Sequence, residues 1–517
     1  MRSSPYLLGI DIGTSSTKGV LIDVRGNVLA EAAVEHDIRV LKPGWVEQDP
    51  DECYWRDFKI IAKTLMAKAN ITPNEIAGIG ISGLSPVIVP IDRAGNVIRP
   101  ALIYSDRRAV NESKMVTEKL GLEQVIKITG NIPDPYFGGY KLIWYMRNEP
   151  ENYRKTWKVL NAEKYVILKL TGEAVIDRST ATLYAPYYDW RLQRWSEEIS
   201  SMVGGGLELL PDKICESCEI VGYVTREAAA ESGLIEGIPV IAGGVDALAS
   251  AYSVGVISEG DSVFTYGTTS CWLVATSKPM YEPRGRLIAV GHVIPGKYAL
   301  AGAINTTGAL LRWFRDNFGH IEKSFGEMVN MSAYELLDME TEKINPGSDG
   351  LFVLPYFLGE RTPIWDPDAR GLIFGLTLGH TRAHVYKALM EAVGYALKQH
   401  IEIVQGLGIE VKKIIAVNGG AKSKLWRQII SDITGFDQFF IKGARGAPYG
   451  DAFLAGVSVG VFKKFEDIKF SLNPMEKTEP NRKNYEIYSK LFKIYEKLYE
   501  SSKPCLDLLK SLQISEV

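Results

Sequence analysis

Near the middle of the chain an apolar run (Ile238, Val240, Ile241, Ala242) stops at Gly243-Gly244-Val245-Asp246, two glycines followed by a carboxylate. Such a run predicts a buried strand, and the glycines remove side-chain bulk so that backbone or ligand can come close. The carboxylate then has two chemistries open to it. It either caps the helix beginning near Ala247 or acts as a general base that takes a proton from a hydroxyl. Two turns rich in Gly, Thr and Ser, Gly13-Thr14-Ser15 and Gly267-Thr268-Thr269, each follow one strand pattern and lead into another. Taken singly each is a plain hairpin; as a pair they offer backbone N–H groups and hydroxyls to a polyphosphate. Lys18 adds positive charge just beyond the first turn, and Asp11 before it suits Mg2+ held through water, since hard cations prefer oxygen. Gly419-Gly420, between a strand and a helix, is a third place where backbone can lie against a nucleotide.

The elements that must position these groups follow from the patterning. Strands are expected around Leu7 to Ile10, Thr17 to Ile22 and Val28 to Val34. Asp49-Pro50-Asp51-Glu52 then offers an N-cap, a proline at the first helical position and a reciprocal glutamate, opening a helix whose apolar face is Trp55, Phe58, Ala62 and Leu65. Residues 76–91 return to strand. They contain Gly78-Ile79-Gly80-Ile81-Ser82-Gly83, a literal GxGxxG, but no helix can start at its last glycine because Pro86 and Pro90 follow within a β-type run. The second half repeats strand, Gly-Thr turn, strand at residues 260–275, which implies two lobes of related fold. A long helix (Val385, Leu389, Val393, Ala396, Ile403) ending at Gly406, a strand at 414–417, a helix capped by Gly435 and a last helix stopping before Pro504 complete the expected order.

Composition narrows the function classes. The 517 residues are 46% hydrophobic and 23% charged with a net charge of −3, which gives no electrostatic case for nucleic acid or an anionic membrane. No stretch has membrane-span length and the first residues lack a signal-peptide core, so a cytoplasmic metabolic protein is expected. Five cysteines make no disulfide framework, and Cys215-Glu216-Ser217-Cys218 has no second half-site to complete a zinc centre. His380 and His384 lack the glutamate of HExxH. No GxxxxGK[ST] occurs, which excludes a P-loop ATPase.

The chain resembles the FGGY family of carbohydrate kinases over nearly its whole length. The residues that carry the likeness are Gly371-Leu372-Ile373-Phe374-Gly375-Leu376, His384-Val385 and Ala388-Leu389-Met390-Glu391, preceded by Gly359-Glu360-Arg361-Thr362-Pro363 and Trp365-Asp366-Pro367. An earlier family segment near Lys141-Leu142-Ile143-Trp144 is matched less fully, since Gly138 stands where the family has Pro, Ser or Thr. The resemblance implies an α/β fold of two actin-like (ribonuclease H-like) lobes facing a central cleft. It assigns residues 1–255 to a sugar-binding lobe with an insertion at about 105–210, and residues 256–517 to a nucleotide-binding lobe. It makes Asp246 the catalytic base, the turns at 13–15 and 267–269 the phosphate loops, and Asn305 to Gly308 with Gly419-Gly420 the nucleotide segments. ATP and Mg2+ are the implied cofactors, a small sugar or polyol the substrate, and a homodimer the commonest assembly. Lobe closure on sugar binding is expected to exclude water.

For the substrate, a ketopentose such as D-xylulose is the expectation, with glycerol or gluconate as alternatives. Ser82-Gly83-Leu84-Ser85-Pro86 replaces the Gln-Met-His-Gly segment usual in the ketopentose kinases, while Ser105-Asp106-Arg107-Arg108 and Asp134-Pro135-Tyr136-Phe137 are similar to glycerol kinases. Ser85, Asp106, Arg108 and Tyr136 are therefore the expected substrate contacts beside Asp246, with ion pairing and core packing the competing roles for Asp106, Arg108 and Tyr136. An actin-like ATPase without a sugar substrate is the rival of another class.

Overall fold

The structure, a computed structural model, describes residues 5–472 and 475–513. The chain forms two units: Met1–Ser258 with Ala275–Ala299 and Arg445–Leu472, and Glu259–Val274 with Leu300–Ala444 and Asn473–Val517.

In the first unit β1 (Tyr6–Ile12) and β2 (Ser16–Ile22) form an antiparallel hairpin with Asp11 opposite Lys18, and β3 (Val28–Glu35) extends it. After α1 (Arg56–Ala69), β4 (Ile76–Gly83) lies parallel to β1 on its other side, which brings Ser82 opposite Asp11. Then come α2 (Ala162–Thr171), β5 (Ile220–Tyr223), β6 (Pro239–Ile241) and α3 (Asp246–Ser253). The strand order is β5-β6-β4-β1-β2-β3, and Gly244–Val245 runs parallel to Ser82-Gly83 at the end of β4. β1 and β4 are central and buried on both faces, which explains their near-continuous apolar runs.

One face is covered by α1, whose Phe58, Ile61, Ala62 and Leu65 are fully buried. Its start is capped as the sequence implies: the Asp49 carboxylate accepts the amides of Asp51 (3.1 Å) and Glu52 (3.3 Å). Glu52 does not reciprocate, because Arg56 one turn on binds it at 2.7 Å, and the first turn, Asp51–Trp55, winds as a π-helix. The other face is covered by a helix from far along the chain, Ala447–Ser458. It can lie there because β1 and β4 carry glycine at the contact. A Cβ on Gly9 would stand 1.9 Å from the Pro448 carbonyl oxygen, and one on Gly80 would stand 2.2 Å from that of Asp451. The GxGxxG of β4 is thus a packing device for this helix. By contact the first unit ends at Ser258, close to the boundary expected at 255–256, and also takes in residues 275–299 and 445–472.

The second unit repeats the pattern. β7 (Asp261–Thr265) pairs antiparallel with β8 (Ser270–Thr276) and parallel with a later strand, β9 (Lys413–Val417), as β1 does with β2 and β4. Between them lie α4 (Gly308–Phe318) and α5 (Arg382–Gly406), and beyond them α6 (Lys424–Thr434), β10 (Gln438–Ile441), β11 (Met475–Thr478) and α7 (Arg482–Gln513). His384 caps α5, its Nδ1 accepting the Thr381 amide at 3.0 Å, so its place in the sequence reflects helix capping. α7 does not stop before Pro504 but continues through it. Anchors on both sides explain this: Tyr499 (2.6 Å) and Lys503 (3.0 Å) bind Asp366 before the proline, and Lys510 binds Asp368 after it. Among the described residues no helix is long and apolar enough to cross a membrane.

Candidate active site

Asp246 is the first residue of α3, half-buried, and its Oδ1 accepts the amide of Ala247 at 2.6 Å. Val245, and not Asp246, stands at the N-cap, while the neighbouring amide fixes one Asp246 oxygen and leaves the other for chemistry. Burial, and then the charge of Asp11, push the Asp246 carboxyl well above the usual range. Asp11, at the end of β1, is pushed up to about 6 by burial and by Glu163, against the opposing pull of Lys18 and the Ser82 hydroxyl. Ser82 Oγ lies 3.3 Å from Asp11 Oδ1 and 2.6 Å from Asp451 Oδ2. Asp451, on the returning helix, is itself pushed well above the usual range, first by burial and then by Asp11. Acidic groups that raise one another's proton affinity in a poorly solvated place favour a cation there, and carboxylate oxygens are the donors that Mg2+ prefers. Among the described residues no three His, Cys, Asp or Glu side chains converge on one metal position, so water would complete the shell.

The first turn is rigid, and its carbonyls are turned back. The Gly13 oxygen meets His36 Nε2 at 3.0 Å, the Thr14 oxygen accepts from Gln48 Nε2 at 2.8 Å, and the Ser15 oxygen accepts the His36 amide at 3.1 Å. Three successive carbonyls of the turn are thus held by side-chain and backbone donors from residues 36 and 48. Asp57 meets His36 Nδ1 at 2.8 Å and so holds the ring that holds the turn. Lys18 is exposed on β2.

The second turn is built the same way from different parts. The Gly267 oxygen accepts the amide of Gly308 (2.8 Å), and the Thr268 oxygen accepts those of Thr307 and Ala309 (3.1 Å each), so the start of α4 ties back the turn. Gly308 must be glycine for this, because a Cβ would stand 2.6 Å from the Gly267 oxygen. Gly267, Thr268, Gly308, Gly419 and Gly420 all line one cavity of about 700 Å3 in the second unit. Tyr266, Tyr386 and Trp426 give it aromatic walls, and its charged lining is mixed, with Arg312 and Lys422 beside Glu335 and Asp338. A flat apolar wall beside glycine-rich backbone suits a nucleotide.

Residues 6–253 match the N-terminal domain of the FGGY family of carbohydrate kinases, and residues 262–459 match its C-terminal domain. The chain belongs to that family. The xylulose kinase of Lactococcus lactis subsp. lactis is 30% identical over 504 residues, covering 96% of this chain and 97% of that protein. The gluconokinase of Bacillus licheniformis is 27% identical, covering 95% of this chain and 94% of that protein. The crystal structure of xylulose kinase from Rhodospirillum rubrum matches with a TM-score of 0.88 at 29% identity, covering 97% of this chain and all of that one. The chain is accordingly an ATP-dependent carbohydrate kinase with a two-domain α/β fold.

The expected sugar contacts of this carbohydrate kinase divide into two groups. Ser85 Oγ accepts from Asn161 Nδ2 at 2.7 Å, and the Tyr136 hydroxyl reaches the Ser85 carbonyl at 3.3 Å, so these two lie together. Asp106 and Arg108 are occupied with each other. Arg108 Nε is 2.9 and 3.0 Å from the two Asp106 oxygens, Glu47 takes a further nitrogen at 2.9 Å, and the guanidinium is packed between the Trp45 and Trp144 rings. Both side chains are almost wholly buried, the geometry of ion pairing and packing that competed for them. Four groups near Asp246 went unnoticed in the sequence: Ser82, Glu163, Lys164 and Asp451. The available signal was a charged residue inside an otherwise apolar stretch, as in Tyr165-Val166-Ile167 after Glu163-Lys164. Cys215 and Cys218 are free thiols.

Proposed function

We propose that this carbohydrate kinase transfers the γ-phosphoryl group of ATP to a hydroxyl of a ketopentose of the xylulose type, with Asp246 as general base. The observation that carries the catalytic half is the Asp246 carboxyl itself, anchored by one oxygen at a helix start and raised in proton affinity by its surroundings. A sugar hydroxyl becomes an effective nucleophile only as its proton leaves, and a carboxylate of raised pKa accepts that proton with more driving force than an ordinary one. Ser85, Tyr136 and Asp246 are the proposed sugar contacts, with Asp106 and Arg108 supporting the wall behind them. The turn at Gly13, Thr14 and Ser15, with Lys18, and the turn at Gly267, Thr268 and Thr269 are proposed to bind phosphates; Gly308, Gly419 and Gly420 are proposed to lie against the rest of the nucleotide. Asp11 would hold Mg2+, largely through water, and the ion would supply neutralising charge to the phosphates.

The ketopentose reading is supported by xylulose kinases at 28–30% identity across at least 96% of this chain. Gluconate is the second reading, because gluconokinases match at 27% over 95%. The test is sugar-dependent ADP release with a panel of ketopentoses, gluconate and glycerol, run beside Asp246→Asn. The expected result is turnover with a ketopentose and a loss of at least about 1000-fold in kcat in the variant, with ATP still bound. Turnover unaffected by every compound would overturn the kinase assignment. Near-normal kcat in the variant would move the base elsewhere.

A further inference from the structure

The backbone that delivers Asp246 is gripped by a buried ionic cluster with no part in the chemistry described so far. Lys164 Nζ, on α2 and without solvent exposure, meets three oxygens: the Ala242 carbonyl at 2.5 Å, Asp177 Oδ1 at 2.8 Å and Glu163 Oε1 at 3.2 Å. The carbonyl takes a hydrogen bond from the ammonium, and the two carboxylates pair with it as ions. The second oxygen of Asp177 accepts from the Ser179 hydroxyl (2.5 Å), the Ser179 amide (2.8 Å) and the Ser217 hydroxyl (2.8 Å). Ser179 Oγ in turn accepts the Val245 amide at 3.1 Å, and the Ser217 carbonyl accepts the Gly243 amide at 2.9 Å. Three of the four residues preceding Asp246 are therefore held by this cluster.

The two glycines show how closely the turn is held. Gly243 has φ +64°, and a Cβ there would stand 1.8 Å from the Ile81 carbonyl oxygen. A Cβ on Gly244 would stand 2.7 Å from Ser179 Oγ and 3.2 Å from Asp177 Oδ2. The turn is pressed between β4 on one side and the Asp177–Ser179 segment on the other. Stability alone does not call for such a cluster: burying an ammonium and two carboxylates costs several kcal/mol per ion before their attraction offsets it, and apolar packing of similar volume commonly does as well. What the cluster supplies is direction, since Lys164 holds the Ala242 carbonyl and Ser179 Oγ holds the Val245 amide.

We infer that Lys164, Asp177 and Ser179 form a positioning device that sets the Asp246 carboxylate for proton abstraction. The inference rests on Asp246 being the base. Small misplacements of a reacting group cost about 100-fold in rate, so the device should be read in kcat and leave ATP affinity alone.

The decisive variant is Ser179→Ala, which removes the acceptor of the Val245 amide while leaving Lys164 and Asp177 paired. The expected result is a fall in kcat of about 10- to 100-fold, KM for ATP within about twofold of the parent, and Ser179→Thr restoring most of the rate through its hydroxyl. Lys164→Met should lower kcat in the same way, with folding checked by near-ultraviolet circular dichroism; if that variant does not fold, the serine pair still decides. Parent kcat in Ser179→Ala, or equal losses in the Ala and Thr variants, would overturn the inference. Asp246→Asn run alongside separates the two failures. If that variant remains active, the base assignment is wrong; if it is inactive while Ser179→Ala is normal, only the positioning device is wrong.

Discussion

Ser82 joins two carboxyl groups whose sequence positions are 369 residues apart on one side and 71 on the other, and its hydroxyl is one of the two influences that favour the ionised form of Asp11. Removing it allows a prediction with a definite sign. In Ser82→Ala, Asp11 keeps the burial that raises it and loses a hydrogen bond that lowers it, so its pKa moves above about 6. Followed by the Asp11 carboxyl carbon shift against pH in the free protein without Mg2+, the midpoint should lie at higher pH than in the parent. An unmoved midpoint would show that the Ser82 hydroxyl does not favour the ionised form of Asp11. At this scale the sequence was readable where chemistry is local. Gly13-Thr14-Ser15 and Asp246 stand out because their signal lies within a few neighbouring residues. Ser82, Lys164 and Asp451 do not, since their meaning comes from partners brought together by the sheet, and for Asp106 and Arg108 the sequence left ligand contact and ion pairing both open, while the structure pairs them with each other.

Helix α5 was legible almost to the residue from its apolar spacing and Gly406, whereas what fixes it to α7 was not. Glu391, wholly buried on α5, accepts the Gly347 amide (2.9 Å), the Ser348 hydroxyl (2.8 Å) and the Tyr488 hydroxyl of α7 (2.7 Å). Burial pushes its carboxyl up to about 7, against those bonds and Lys387. A folded-state pKa above the unfolded one means stability that is fully present below about pH 4.5 and lost as pH rises through 7, up to roughly 3 kcal/mol for a carboxyl moved that far. Glu391→Gln keeps an acceptor for Gly347 and Tyr488, offers an N–H to the Ser348 oxygen, and does not titrate. Its melting temperature should match that of the parent near pH 5 and exceed it by a few degrees at pH 8. An equal difference at both pH values would show that Glu391 does not titrate between them in the folded protein. The same helix pair explains why Pro504 was misread as a stop. A missing N–H and a ring clash cost about 3 kcal/mol, and the contacts of Tyr499, Lys503 and Lys510 with the Asp366 to Asp368 loop bracket the proline.

At the scale of the chain, the repeat was visible as two Gly-Thr hairpins and is borne out in topology: in each unit an antiparallel hairpin is followed by a parallel strand on the other side of its first strand. The course of residues 445–472 was not visible, because nothing in an apolar helix such as Ala447–Ser458 states which sheet it covers. The information lay elsewhere, in Gly9, Gly78 and Gly80, whose missing side chains make the groove. This gives a test of the architecture. A fragment ending at Ser258 contains every strand of the first sheet and lacks the helix that covers one face of it, so Leu7 loses its contact with Gly456, and Ser82 loses Asp451. Two central strands stripped of a covering layer leave a contiguous apolar face in water, which a sheet buried on both sides cannot tolerate. Residues 1–258 alone should therefore lack fixed tertiary packing, with weak near-ultraviolet circular dichroism and dispersed amide signals missing from the proton–nitrogen spectrum. Joining residues 275–299 and 445–472 to the fragment through flexible linkers should restore both. A well-dispersed spectrum from residues 1–258 alone would mean that the returning helix decorates a sheet already stable without it, and that the glycines of β1 and β4 answer to some other constraint.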